Sequence, residues 1–221
     1  MDGDANFGQR SRWQTIDQSL PVDLKQKYDD YVQNTSPESW DCCALDIRER
    51  PILFSAIYIF EQTGLTRAYK LDPILFTEFF ISIEFHYHDE NPYHNKYHGA
   101  DVLQSAYYFS RLLAMSATAL QDAELLALFF ATAVHDVDHP GLNNNFLLTT
   151  EDPLAVLYNG QAVLENHHAS LAFRLHDRYP VFSTLSRHSF KRFRELAVSL
   201  VLATDFSAHF SLLSEFKTKV H

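Results

Sequence analysis

Along most of this chain the apolar positions recur at three- and four-residue steps, the spacing of one face of an α-helix. Leu103, Ala106, Tyr107, Ser110, Leu113 and Ala114 follow it, and so do Leu125, Leu128, Phe129, Thr132 and Ala133. Leu196, Leu200 and Ala203, then Leu212 and Phe216, continue the pattern. Alternation of period two is rare, and the hairpin dipeptide Asn-Gly occurs only at Asn159-Gly160. Eight prolines cut the chain into pieces of helix length. Asp72-Pro73 and Asp122, each ahead of an apolar run, predict helix starts with cap and first-turn proline chemistry. The predicted fold class is therefore all-α. Residues 1–50 are more polar and weakly periodic, which predicts an N-terminal arm over 1–37 plus short helices, with the main domain over 38–221.

Composition narrows what such a bundle can do. The 221 residues suit one domain with a sizeable core, and 46% hydrophobic with 21% charged is ordinary for a globular chain. A net charge of −10 argues against a nucleic-acid backbone as partner. It leaves open a small anionic substrate, because a bound metal ion reverses the local field. Six glycines, none clustered, give no phosphate-cradling loop. The only cysteines, Cys42 and Cys43, are adjacent, so no disulfide framework is expected and a reducing compartment is. Met1 to Arg10 lacks the apolar core of a signal peptide, and the run Leu125–Val134 is too short for a membrane span. The expected setting is cytoplasmic, with the Asn34-Thr35-Ser36 sequon idle.

Chemistry concentrates in two short segments. The first runs Tyr93-His94-Asn95-Lys96-Tyr97-His98, with Asp101 three residues on, and the second reads His135-Asp136-Val137-Asp138-His139-Pro140-Gly141. If helical, His94 and His98 share a face; taken alone, the pair is also consistent with a polar helix start. His135-Asp136 ends the apolar run 125–134, where an unpartnered imidazole and carboxylate would cost several kcal/mol. A divalent cation is the natural partner, and zinc, iron, manganese or magnesium all accept such donors. Two further clusters are Glu165-Asn166-His167-His168 and Thr204-Asp205, the latter with His209 four residues on. Glu165 and His168 share a helix face from which they can orient ligands or bound water. Thr204 and Asp205 follow another apolar run and are expected to turn inward. His86, His88, His176, His188 and His221 have no such company and read as ordinary surface or packing residues.

Read in order, Tyr93-His94-Asn95-x-x-His98-x-x-Asp101-Val102, then His135 to Gly141, then Leu164 to His168, then Ala203-Thr204-Asp205, these strings resemble the class I 3′,5′-cyclic-nucleotide phosphodiesterases, a group of HD-type metal hydrolases. The likeness runs from about residue 38 to the C-terminus and looks most like the cAMP-specific type 4 branch. The resemblance implies an all-α catalytic domain with two divalent metals, zinc at the tighter site and magnesium (or manganese) at the other. It implies His98, His135 and Asp136 as ligands, with Asp136 shared. It makes His94 the acid that protonates the departing 3′-oxygen, with Glu165 orienting it and Tyr93 lining the substrate pocket. His139 and Thr204 would hold water around the second metal, with His168 and Asp205 in supporting positions. In the family a further aspartate ligand, the purine-binding glutamine and an aromatic clamp lie beyond the position of His221. The chain is thus expected to be the N-terminal and central part of a longer catalytic domain, weakly active or inactive alone. Two alternatives stand beside this. One is another HD-type phosphohydrolase acting on nucleotides. The other is a catalytically dead form that binds metal or associates with itself or with full-length chains through exposed helices.

Overall fold

The computed structural model describes residues 15–115 and 119–220, so the first fourteen residues of the expected arm, and His221, lie outside it. Among the described residues the regular structure is entirely helical, as the apolar periodicity predicts. The helices in chain order are α1 (Val22–Thr35), α2 (Pro51–Gln62), α3 (Leu65–Ala68), α4 (Pro73–Phe85), α5 (Lys96–Ala114) and α6 (Asp122–Val134). They continue with α7 (Asn144–Thr149), α8 (Pro153–Leu157), α9 (Val163–Arg178), α10 (Arg187–Leu202) and α11 (His209–Val220).

The sequence punctuates these helices by side-chain chemistry. Pro51, Pro73 and Pro153 occupy first turns, where a missing N–H costs nothing. Asp72 caps α4 by accepting from the amides of Ile74 and Leu75, each at 2.9 Å. Helix α6 differs from expectation by one residue. Gln121 is its cap, its amide donating to Glu124 Oε2 at 2.9 Å, and Asp122 is the first helical residue. Asp122 still faces the positive end of the helix dipole, a placement that favours a carboxylate.

Helix α6 sits at the centre, packed against α10 and α5, with α2 against α5 and α4 joining α2 to α9. Most of its apolar run is buried, with only the stripe Leu125, Leu128 and Thr132 partly accessible, so little polar character shows in it. Phenylalanines fill the core. Phe130 lies 5.8 Å from Phe79, 5.3 Å from Phe173 and 5.2 Å from Phe193, centroid to centroid. Helix α1 joins this core through Tyr28 and Tyr31, whose rings lie 5.8 and 6.1 Å from that of Phe54. A smaller core of Leu147, Ala155, Val163 and Leu164 supports α7, α8 and the start of α9. Among the described residues no single helix is long and apolar enough to cross a membrane. The functional segments all emerge at one end of this packing. Helix α5 begins, α6 ends and α9 begins around one cleft of about 740 Å³.

Candidate metal centre

Three side chains from two helix ends converge at the floor of the cleft. His98 projects from the first turn of α5, and His135 and Asp136 follow the last residue of α6. Asp136 Oδ2 lies 3.3 Å from His98 Nε2 and 3.2 Å from His135 Nε2, and the two imidazole nitrogens are 3.2 Å apart. A tetrahedral ion with bonds of about 2.0–2.1 Å spaces its ligand atoms roughly 3.3–3.4 Å apart, so these three atoms match one face of such a tetrahedron. The tautomer of His135 fits too. Its Nδ1–H donates to the Thr132 carbonyl at 2.9 Å, so the neutral ring would carry its lone pair on Nε2, facing the other two donors.

A second group shares the same carboxylate. Asp136, His139 and His168 place donor atoms within 4.8 Å of one another. His168 Nδ1 donates to the Val137 carbonyl at 2.7 Å, and its Nε2 lone pair lies 3.9 Å from Asp136 Oδ1. His139 is wired the opposite way. The Gly141 amide donates to its Nδ1 at 3.0 Å, so the neutral ring carries its proton on Nε2. His168 therefore offers a lone pair, whereas His139 offers a donor suited to a bound water or a phosphate oxygen. Gly141 can make this contact because its φ is +75° and a Cβ there would meet Asn91 Oδ1 at 2.7 Å.

Electrostatics follows from burial and these bonds. Burial opposes the charge on Asp136, but hydrogen bonds from His135 and His98 outweigh it and hold the carboxyl well below the usual range. Burial likewise opposes a charged His135, and its bond to Asp136 overcomes that and raises it. Burial pushes His139 down to about 4, helped by the nearby His94, and pushes His168 down to about 3. Both rings are thus neutral at physiological pH, the state in which imidazole ligates or donates without competing for charge.

His94 reaches the cleft by a different route from the one its spacing predicts. Asn95 has extended backbone and caps α5, accepting from the amides of Tyr97 at 3.0 Å and His98 at 3.3 Å. His94 therefore precedes the helix and does not share a face with His98. It stacks on His139, with ring centroids 3.9 Å apart and planes inclined by 11°. Asn91 fixes that stack by donating from Nδ2 to the carbonyls of both His94 and His139, at 3.1 and 2.7 Å. Burial, offset by Asp136 and reinforced by His98 and His135, lowers His94 from the ordinary histidine value. Tyr93 is exposed and lies over His98, centroids 4.4 Å apart, at the cleft mouth. Asp101 is exposed on the outer side of α5 and takes no part.

On the far wall, Glu165 is half-buried and accepts from Asn144 Nδ2 at 2.9 Å, while Asn144 Oδ1 takes the Leu164 amide at 2.9 Å. Asn144 is thus the residue that orients Glu165, and no bond joins Glu165 to His94. Burial raises the Glu165 carboxyl. Thr204 and Asp205 line the rim without turning fully inward. The exposed Thr204 hydroxyl donates back to the Val201 carbonyl at 2.7 Å, and Asp205 accepts from the Ser207 amide at 2.9 Å. His209 is exposed and stacks on Phe206. His86, His176 and His188 take ordinary roles. His86 bonds the Ser82 carbonyl, His176 is buried against Phe182, and His188 is exposed.

The profile of the 3′5′-cyclic nucleotide phosphodiesterase family matches residues 93–221, which include every residue of this cleft. The chain belongs to that family. It is 39% identical over 173 residues to mouse 3′,5′-cyclic-AMP phosphodiesterase 4C, a match covering 77% of this chain and 25% of that protein. It is 35% identical over 195 residues to mouse high affinity cAMP-specific and IBMX-insensitive 3′,5′-cyclic phosphodiesterase 8A, covering 86% and 24%. The crystal structure of the phosphodiesterase domain of the RhoPDE fusion protein from the choanoflagellate Salpingoeca rosetta superposes with a TM-score of 0.77 at 31% identity. That match covers 86% of this chain and 59% of the other. The chain thus spans about a quarter of the length of these two relatives. The type 4 likeness read from the motifs agrees with the first of them, and the helical fold agrees with the solved domain.

Proposed function

We propose that this cleft binds two divalent metal ions and hydrolyses a 3′,5′-cyclic nucleotide, cAMP or cGMP, to the nucleoside 5′-monophosphate. The observation that carries the reading is the near-equilateral donor triangle of His98, His135 and Asp136, with Asp136 also within reach of His168. His98, His135 and Asp136 would hold a first divalent ion, zinc being the one the family resemblance implies. Asp136 and His168 would hold a second, magnesium or manganese, with water completing its shell. Bound there, the ions would neutralise phosphodiester charge and supply hydroxide at neutral pH.

The chain's own groups do the rest. His139 presents its Nε2 proton to a phosphate oxygen or a bound water. His94, beside it, donates a proton to the departing 3′-oxygen as the ring opens. Burial lowers the free His94 from the ordinary histidine value, and the nearby Asp136 carboxylate is the group that opposes this and favours its charged form. Glu165, held by Asn144, faces this chemistry from the opposite wall, Tyr93 covers the mouth, and Thr204 and Asp205 bind water at the rim.

Hydrolysis of cAMP and cGMP by the purified chain, with and without added zinc and magnesium, tests this directly. The expected result is slow, metal-dependent release of 5′-monophosphate that falls about 10²–10⁴-fold in His94→Ala. Turnover that persists under chelation, or that survives His94→Ala unchanged, would overturn the assignment. A second reading, a metal-binding module that docks a partner, draws on the exposed rings of Phe206, Phe210 and Phe216. Tight metal binding without turnover in any metal would favour it.

A further inference from the structure

One group of titratable side chains beside the cleft has no part in the chemistry above. Asp138 accepts from His88 Nε2 at 2.8 Å through Oδ1 and from His167 Nε2 at 2.7 Å through Oδ2. The three residues come from different pieces of chain. His88 follows α4 in the segment that leads to His94, Asp138 sits in the turn after α6, and His167 lies on α9 beside His168. The backbone closes the same junction, since the Asp138 amide donates to the His86 carbonyl at 2.9 Å. Asp138 holds φ at +62°, a left-handed conformation that aspartate tolerates better than most side chains. The two imidazoles and the His86 carbonyl hold it there.

We propose that Asp138, gripped by His88 and His167, is the tie that sets His94 against His139, and that His88 is a positioning residue for the candidate acid. The segment from His86 to His94 touches the turn 135–141 through the His86 carbonyl, the Tyr87 hydroxyl, His88 and Asn91. Asn91 fixes the backbone at the His94 end, and His88 fixes the other end six residues earlier. With both ends held, the His94 ring has little freedom to leave the stack at 3.9 Å. The second arm, His167, ties the same carboxylate to α9, so the turn carrying Asp136 and His139 is fixed relative to His168 and Glu165. Glu90, which bonds His88 Nδ1 at 3.1 Å, steadies the imidazole from the solvent side. The hydrogen bond to Asp138 leads the influences that raise His88 above the ordinary histidine value, as a donor bound to a carboxylate should be.

The relevance to catalysis rests on the proposed function, but the geometry can be tested apart from it. Ring-proton NMR of the histidines in the full, metal-free chain reads the His94–His139 stack through its ring-current shifts. Amide exchange at Asp138 reads the junction itself. His88→Leu should collapse the ring-current shifts of His94 and His139 and speed Asp138 exchange about tenfold, with helicity unchanged. His88→Gln, which keeps an N–H donor at similar reach, should restore both, and His188→Leu should alter neither. Should His88→Leu lose its fold, His167→Gln against His167→Leu makes the same comparison from the other arm. Wild-type shifts and exchange in folded His88→Leu would overturn the proposal. So would equal losses in the Gln and Leu variants. Turnover is measured alongside. Turnover that persists under chelation counts against the phosphodiesterase reading, while the ring resonances decide the tie.

Discussion

The two walls of the cleft are built on different physical terms. The wall carrying His98, His135, Asp136, His139 and His168 stands directly on the phenylalanine core, and most of its rings are oriented through one nitrogen by a backbone partner. The wall formed by Thr204, Asp205 and Phe206 leads into α11, whose described residues are exposed and whose Phe210 is 73% accessible. One wall spends its polar groups on fixing donor geometry. The other spends them on local turns, as Thr204 and Asp205 bond only to atoms two or three residues away. Chemistry that depends on angles and tautomers has been placed where packing is densest and cannot shift.

The strongest way to break this contrast is to remove what both donor groups share. Asp136→Ala deletes the single carboxylate of the two groups and leaves buried imidazoles facing one another. Metal content measured after dialysis should fall to background, a loss well beyond the roughly 10–100-fold expected for an outer supporting residue. Retention of two ions per chain would show that the triangle is a coincidence of packing.

Next in size is the foundation under that wall. Phe130→Ala empties a fully buried site bounded by Phe79, Phe173, Phe182 and Phe193, and should cost about 3–5 kcal/mol in urea unfolding. A cost below about 1 kcal/mol would mean that α6 is not the fixed platform described above.

How far sequence anticipated the two walls follows the same division. The helical class and the Asp72-Pro73 start were legible because each depends on spacing or on neighbours within a turn. The grouping of His98 with His135-Asp136, 37 residues apart, came only through the family resemblance. What sequence could not show were partners brought together by tertiary structure. His88 looked solitary because Asp138 is fifty residues away, and nothing near Asn144 in the chain signals that it orients Glu165 twenty-one residues on. His94 was placed in the cleft, but by helix geometry. Asn95 preferred to cap α5, and that local competition moved His94 off the helix while stacking on His139 returned it to the site.

A smaller effect tests burial at the edge of the rigid side. Glu84 is almost fully buried on α4, accepts from the Ile52 and Leu53 amides at 2.8 and 3.2 Å, and faces Arg50 at 3.5 Å. Burial raises its carboxyl from 4.5 to about 7, against those bonds and Arg50. The folded chain therefore keeps a proton that the unfolded chain has released between those values, so stability declines as pH rises from about 4.5 to about 7 and then levels. Glu84→Gln cannot ionise and should flatten that decline. Thermal unfolding should show the variant gaining about 7–14 °C at pH 8 and nothing at pH 4.5. A gain that is the same at both values would assign the effect to packing instead of charge.

The smallest expected effect belongs to the exposed wall and completes the comparison. Phe210→Ala removes as large a side chain as Phe130→Ala does, from the same kind of secondary structure. Yet the Phe210 ring is mostly in solvent, and its recorded ring contact is the neighbouring His209 at 5.4 Å. Stability should change by less than about 0.5 kcal/mol. Metal content should not change, because none of the donor atoms leans on α11. If Phe210→Ala instead destabilised the chain as much as Phe130→Ala, α11 would have to be packed in solution against something that supports it. The contrast between the walls would then lie in their partners and not in their construction.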